Sequence, residues 1–150
     1  MLLRLLVVFL SLSSSVFASG SHFSGAWKLN PSKSKLTSPA PQSDIAVVNA
    51  DDHSIKFSEE ITDDKGQTTK TSFDAKFDGK DYPTTGDPYS DSISYKRVND
   101  HTLIFITKKA GKISVKATVV VSKDGKVTTV HFTAYSEGKA VKGAAVYDKE

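Results

Sequence analysis

Apolar and polar residues alternate with a period of two along most of the chain after Ala18. No segment longer than a turn or two shows helical periodicity, so the pattern is typical of strands with one buried face. It predicts eight or nine strands, drawn from the segments 25–29, 45–49, 53–61, 69–77, 92–98, 101–109, 112–122, 126–136 and 139–148. After the first strand, Asn30-Pro31 predicts about one helical turn.

The last predicted strands are joined by short turns, each with a glycine followed by lysine at Gly111, Gly125 and Gly138. Short connections make consecutive strands antiparallel neighbours, which predicts an up-and-down meander. Segment 112–122 keeps one apolar face along its whole length, formed by Ile113, Val115, Ala117, Val119 and Val121. Because closure removes unpaired sheet edges, we predict an all-β antiparallel meander closed into a barrel. A two-sheet sandwich is the alternative.

The first 18 residues differ from the rest of the chain. Arg4 supplies a positive charge, residues 5–10 form an unbroken apolar run, and a serine-rich stretch leads to Val16-Phe17-Ala18. This order is typical of a secretory signal peptide. The apolar run is too short to span a bilayer, which takes about 20 residues. We predict a signal peptide over 1–18 with cleavage near Ala18, a single domain over 19–150 without stable membrane insertion, and a secreted or periplasmic location.

Composition and charge exclude several classes of function. The chain has no cysteine, which excludes a disulfide scaffold and a thiolate metal site. Its 20 Lys and Arg residues against 17 Asp and Glu residues give a net charge of +3, and the basic residues are scattered. Nucleic-acid binding needs clustered cations that displace counterions, so we expect no nucleic-acid partner. We also expect a monomer.

The sequence shows no recognisable catalytic or metal-binding constellation. It lacks a Gly-x-Ser-x-Gly elbow, and its four histidines lie on separate segments without metal-ligand spacing. The acidic pairs at 51–52 and 63–64 lack the calcium-loop pattern and indicate turns. We therefore predict no catalytic residue, no metal and no cofactor.

The start of the domain carries a family likeness. Gly25-x-Trp27 stands on the first strand after the signal peptide, and an antiparallel meander follows it. In this the chain resembles the lipocalin-like proteins of the calycin superfamily, in particular small secreted bacterial members. The resemblance implies a β-barrel that holds a small ligand, with a basic residue packed beneath the tryptophan.

Side-chain parity predicts which residues face the barrel interior. The predicted inward residues are Trp27, Leu29, Ile55, Phe57, Phe73, Phe77, Ile93, Tyr95, Val115, Val119, Val130 and Phe132. Burial of such side chains is ordinary core packing in most proteins. An apolar pocket would be built from the same face, and we take as candidate ligand-binding residues Phe57, Glu59, Phe73, Phe77, Tyr95, Arg97 and Phe132.

Two of these candidates are charged. Glu59 shares its face with Phe57, and Arg97 shares its face with Tyr95. A lone buried charge costs several kcal/mol, so each needs a partner, water or the barrel mouth. Three interpretations stay open. Arg97 stacks on Trp27 and closes the barrel end, Glu59 and Arg97 pair inside the barrel, or either of them binds the polar head of an amphipathic ligand.

The longest irregular segment is 80–91, which bears Tyr82 and Tyr89. Loops of this length in a compact meander are often functional, so one interpretation is a lid with these two tyrosines as its contacts. The other is a self-packed loop that covers one end of the barrel.

Three functions are compatible with these patterns. We favour a secreted, non-catalytic protein that binds a small apolar or amphipathic ligand in the barrel. The alternative is an interaction or inhibitor module with a filled barrel, whose loops bind a protein or glycan. A third, an enzyme, would need converging polar groups such as Glu59 with His53. A cavity of about 300 Å³ or more separates the first from the second.

Overall fold

Residues 21–150, the part of the chain that the computed structural model describes, form ten antiparallel strands. The strands are β1 (Gly25–Leu29), β2 (Ser43–Ala50), β3 (Ser54–Thr62), β4 (Thr68–Lys76), β5 (Tyr82–Pro83), β6 (Ser92–Asn99), β7 (Thr102–Lys109), β8 (Lys112–Val121), β9 (Val127–Ser136) and β10 (Lys139–Lys149). A 3-10 turn at Pro31–Lys33 follows β1, where a helical turn was predicted. The predicted signal peptide lies outside the described residues.

The strand count differs from the predicted eight or nine because of β5. This two-residue strand lies inside the segment 80–91 and pairs Tyr82 with Ile93 of β6. Pro83 has no N–H to donate, and a short strand at the end of the sheet tolerates it. The other nine strands coincide with the predicted segments apart from small shifts at their ends.

All ten strands form one sheet, in the order β4-β3-β2-β1-β10-β9-β8-β7-β6-β5. The two ends of this sheet meet. Ser72 of β4 and Thr85 exchange two backbone hydrogen bonds of 2.9 Å, and the Gly79 N–H donates to the Tyr95 carbonyl of β6 at 2.9 Å. The predicted meander is thus confirmed, the sheet nearly closes into a barrel, and the sandwich alternative is wrong.

Aromatic side chains pack across the seam of the barrel, the junction between β4 and β6 where few backbone hydrogen bonds form. The rings of Phe57 and Phe73 stack at 4.7 Å, and Phe73 of β4 lies 5.8 Å from Tyr95 of β6. Tyr95 in turn lies 5.4 Å from Phe105 of β7. Contacts of this kind stabilise beyond the area that they bury. The row therefore holds β4 against β6 from inside the barrel.

An irregularity between β7 and β8 overturns one predicted position. Thr107 pairs with Val115 and Lys108 pairs with Ile113, so Ser114 is an extra residue in β8. Such a bulge reverses side-chain parity beyond it. Ile113 was predicted to share the apolar face of the strand, but it is 37% exposed. Ser114 instead bonds to Thr107 at 2.8 Å.

Trp27 closes one end of the core. It is 3% exposed, and its indole N–H donates to the Phe23 carbonyl at 2.9 Å. Lys149, its cross-strand partner on β10, places Nζ 5.2 Å from the ring centroid. The predicted stacking of Arg97 on Trp27 is therefore wrong. Gly25 has φ +140, a conformation that residues with a Cβ rarely adopt, and this accounts for the glycine before the tryptophan.

Candidate ligand-binding cavity

The barrel interior contains a cavity of about 400 Å³. Its walls are mainly apolar and come from every long strand of the sheet. Ligand pockets are commonly about 300 Å³ or larger, so the space is sufficient for a small molecule. Seven aromatic rings of the strands line it, from Trp27, Phe57, Phe73, Tyr95, Phe105, Phe132 and Tyr147.

Most of the predicted site residues come together around this cavity. Those that line it are Phe57, Glu59, Phe73, Tyr95 and Phe132. Phe77 is not among the lining residues. It packs edge-on against Tyr95, with centroids 6.2 Å apart, so it belongs to the core beside the cavity. Contact of these residues with a ligand stays a prediction.

Arg97 lies outside the cavity lining. Its guanidinium donates to the Asp52 carboxylate at 2.7 Å and to the Asp100 carboxylate at 2.7 Å. The β6–β7 register shifts just after Arg97, where the strand leaves the regular ladder. The predicted pairing of Arg97 with Glu59 is wrong, because two surface carboxylates hold the arginine.

Four polar residues form a cluster on the cavity wall: Asp44 of β2, Glu59 of β3, Thr128 of β9 and Tyr147 of β10. The Tyr147 hydroxyl donates to Asp44 Oδ2 at 3.0 Å. Thr128 is the cross-strand partner of Tyr147. Glu59 pairs in register with Ala46, which places it diagonally across from Asp44. We call these four residues the polar cluster.

Two atoms of the polar cluster are buried without a fixed hydrogen-bond donor. Asp44 is 6% exposed and Thr128 is 8% exposed. Thr128 Oγ1 makes no hydrogen bond to any described residue, and Asp44 Oδ1 makes none unless a protonated Glu59 donates to it. A buried polar atom left unpaired costs about 1–3 kcal/mol, so native proteins rarely keep one. Both residues line the cavity, where an occupant could supply the missing hydrogen bonds.

The carboxyls of the polar cluster resist ionising together. Burial raises the pKa of Glu59 well above its usual range, and the neighbouring Asp44 raises it further. Burial also raises the pKa of Asp44, partly offset by hydrogen bonds from Glu59 and Tyr147. The pKa of Tyr147 is raised by burial and by both carboxyls. We therefore expect the two carboxyls to share one proton when no cation is bound.

The charge of the lining is one-sided. A third carboxyl, from Asp87, faces the same cavity and raises the pKa of Glu59. The lining contains no lysine, arginine or histidine. The interior of the cavity therefore carries acidic groups only, although the whole chain has a net charge of +3.

The segment 80–91 lies at the cavity mouth. Thr84, Asp87, Tyr89 and Ser90 line the cavity, and Tyr89 is 79% exposed. Asp87 Oδ1 accepts the Tyr89 N–H at 2.8 Å, and its other oxygen accepts the Ser90 hydroxyl. The loop is thus tied to itself while it borders the opening. Tyr82, the other predicted contact, does not line the cavity, since its hydroxyl bonds to Asp78 on the outside.

Glu59 and His53, the convergence that an enzyme was said to need, do not come together. His53 is exposed, and Glu59 lies six positions further along the extended chain, a distance of about 20 Å. His22 and His101 stack on each other at 4.1 Å, away from the cavity lining. Within residues 21–150, no group of three or more His, Asp or Glu side chains is placed to hold a metal ion. No helix in that range is long and apolar enough to cross a membrane.

Sequence reasoning missed three members of the polar cluster, Asp44, Thr128 and Tyr147. Asp44 stands one residue before the predicted start of its strand, and it shares its face with the small residues Ala46 and Ala50. The larger Val47 points outward and is 52% exposed, which hides the inward face. The alternation Asp44-x-Ala46-x-Val48 was the available signal.

Comparison with known proteins finds similarity among solved structures but no match to a family model or a curated sequence. No family model matches the chain, and no curated protein matches its sequence. Among solved structures, the fold is similar to that of the siderocalin Ex-FABP, described as functioning through dual ligand specificities. The sequence identity is 11% and the TM-score 0.42, over 87% of this chain and 75% of that chain. Function is therefore inferred from the geometry of the cavity.

Proposed function

We propose that this protein is a non-catalytic binding protein of lipocalin-like type that holds a small apolar or amphipathic molecule inside its barrel. The cavity of about 400 Å³, lined mainly by apolar and aromatic side chains, carries the proposal. Such a lining with a few convergent polar groups is typical of small-molecule sites. A filled barrel that acts only through its loops is disfavoured by the same cavity.

We also propose export of the protein, as the order of residues 1–18 indicates. The packing of Lys149 on Trp27 supports the lipocalin-like interpretation, because a basic residue beneath the tryptophan is what the family resemblance implied.

Titration with the neutral fluorophore N-phenyl-1-naphthylamine tests the proposal, since its emission rises in an apolar environment. The variant Val119→Phe fills the cavity from β8, where Val119 lines the wall. The matched control is Val120→Phe, the next residue of the same strand, which is 37% exposed on the outer face. Urea unfolding of both variants checks that each is folded.

We expect wild type and Val120→Phe to bind the fluorophore with saturation and with similar affinity. Val119→Phe should weaken binding by about tenfold or more, because the added ring occupies ligand space and strains the packing. Absence of saturable binding to wild type would overturn the proposal. So would equal binding by the two variants, since the fluorophore would then lie outside the barrel.

A further inference from the structure

The polar cluster holds two buried oxygens at the wall of an apolar cavity that the rest of the protein leaves without a fixed donor. Thr128 Oγ1 lacks a hydrogen-bond partner among the described residues, and Asp44 Oδ1 has none apart from a proton that it shares with Glu59. Each belongs to a residue more than nine-tenths buried. Because leaving such atoms unpaired is costly, their presence in the cavity lining points to an occupant with polar groups.

We propose that the polar cluster binds the protonated amino group of an amphipathic amine, whose apolar body fills the rest of the cavity. The proposal rests on the proposed function and names the class of ligand. Asp44 and Glu59 would accept hydrogen bonds from the ammonium group.

The chemistry of the acceptors favours a cation over a neutral or anionic head. An ammonium group has three N–H donors, and ionised carboxylates offer only acceptor positions. Hydrogen bonds between charged partners are about twice as strong as neutral ones. A carboxylate ligand would instead meet Asp44, Glu59 and Asp87 with no basic residue in the lining to balance it. The site therefore selects against anions as well as for cations.

The surrounding rings suit the same class of ligand. Tyr95 and Tyr147 lie beside Glu59, close enough for its charge to raise the pKa of both phenols. Aromatic faces attract cations, most strongly where water is excluded. Phe57 and Phe73 continue the wall with apolar surface. A ligand with a cationic head and a hydrocarbon or aromatic body would place its head at the acidic groups and its body along the aromatic wall.

Binding of a cation competes with the proton that the empty site holds. The titratable groups that face Glu59 are Asp44 from β2, Asp87 from the segment 80–91 (the mouth loop), Tyr95 from β6 and Tyr147 from β10. All of them are acidic, so deprotonation of the cluster leaves the ammonium as its counter-ion. The affinity for an amine should therefore rise with pH while the amine stays protonated.

A series of ligands that differ only in the head group tests the proposal on the wild-type protein. The three probes are octylammonium, 1-octanol and octanoate, each measured by displacement of N-phenyl-1-naphthylamine. We expect octylammonium to bind about tenfold or more tightly than octanol, and octanoate most weakly. Non-specific attraction to a chain of net charge +3 would give the opposite order. The preference for octylammonium should increase between about pH 5 and about pH 8.

Two isosteric variants locate the effect. Glu59→Gln removes a carboxyl of the polar cluster, and we expect it to lower the ratio of octylammonium to octanol affinity by about tenfold. The control is Glu60→Gln on the same strand, which removes the same charge from an exposed side chain that pairs with Lys70 at 3.2 Å. This control should leave the ratio unchanged.

The outcomes separate the two proposals. If octanol and the fluorophore bind but octylammonium binds no more tightly than octanol, the inference about the ligand class is wrong and the binding function stands. Tighter binding of octanoate than of octylammonium would also overturn the ligand class alone. If neither the fluorophore nor any of the three probes binds, the proposed function itself fails. An equal loss of preference in Glu60→Gln would also overturn the inference, because long-range charge would then explain it.

Discussion

Lys149 lies directly across from Trp27 in the β1–β10 pair, and its ammonium sits 5.2 Å from the centroid of the indole ring. Gly25, two residues before the tryptophan, leaves the space that the lysine stem occupies. The Trp27 N–H donates to the Phe23 carbonyl, so this hydrogen bond and the Lys149 contact together fix the orientation of the ring. These four residues together fix the closed end of the core.

Replacement of Lys149 by methionine should destabilise the protein. The change keeps an unbranched apolar stem but removes the charge over the ring, and such contacts contribute about 0.5–1 kcal/mol at exposed sites. We expect a loss of about that size in the free energy of unfolding, measured with urea and followed by Trp27 emission. Lys142→Met, at another exposed lysine of β10, is the control. Equal losses in the two variants would contradict a specific contact with the indole.

Gly86 closes the barrel seam. It has φ +83, and a Cβ there would collide with the backbone carbonyl of Lys70 on β4. Gly125 has a similar φ of +72 but open space around the Cβ position. We expect Gly86→Ala to cost about 1 kcal/mol or more beyond Gly125→Ala in urea unfolding, because both share the backbone strain and only the first has the collision. Similar costs would show that the seam does not depend on this close approach.

The polar cluster should make the empty protein less stable as pH rises. The pKa of Glu59 in the folded state lies well above its usual 4.5, since burial and Asp44 favour the protonated form. The folded state therefore binds this proton more tightly than the unfolded chain does. The resulting stability is complete below pH 4.5 and is lost as pH rises through the raised pKa. The pKa of Asp44 is also raised above its usual 3.8, so Asp44 likewise contributes stability at low pH that is lost as pH rises.

Thermal unfolding of Glu59→Gln checks this sign. Because glutamine cannot ionise, the melting temperature of the variant should fall less than that of wild type between about pH 5 and about pH 8. Glu60→Gln should follow the wild-type curve. Carboxyls near the surface whose pKa is lowered change the stability only as pH falls below their usual 3.8, outside this range. They are Asp51, Asp78, Asp124 and Asp148. Parallel curves for wild type and Glu59→Gln would contradict the burial of an ionisable carboxyl.

Asp87 should control how fast a ligand leaves. It holds the mouth loop through the Tyr89 N–H and the Ser90 hydroxyl. We expect Asp87→Ala to speed the release of N-phenyl-1-naphthylamine by about threefold or more in stopped-flow displacement, since a looser loop opens the mouth more often. Asp124→Ala removes a similar aspartate from a turn outside the cavity lining, where it bonds to Ser122 and Lys126. Unchanged release in Asp87→Ala would assign the loop a purely structural role.

Strand positions followed closely from the period-two pattern, because burial of one face of each strand imposes that period on the sequence. The pattern failed where the ladder is irregular. Ile113 lies beyond the bulge at Ser114, so its face is reversed. Arg97 precedes the register shift at the end of β6, where Asp52 and Asp100 reach it. No local feature of the sequence marks either irregularity.

The candidate site was predictable only in part. The aromatic lining residues Phe57, Phe73, Tyr95 and Phe132 follow from parity, since large apolar side chains face inward. The partners of Glu59 depend on which strands become neighbours and in what register. Asp44 and Tyr147 are distant in sequence, and their hydrogen bond needs β2 and β10 on either side of β1. A strand sequence alone does not contain that order.

The position of a bound probe tests the central claim most directly. With valine methyl groups labelled with carbon-13, intermolecular nuclear Overhauser effects report which methyls lie near bound N-phenyl-1-naphthylamine. Val119 lines the cavity and Val120 is exposed on the outer face of the same strand. A ligand inside the barrel predicts cross-peaks to the Val119 methyls and none to those of Val120. Cross-peaks to Val120 without Val119 would contradict an internal binding site.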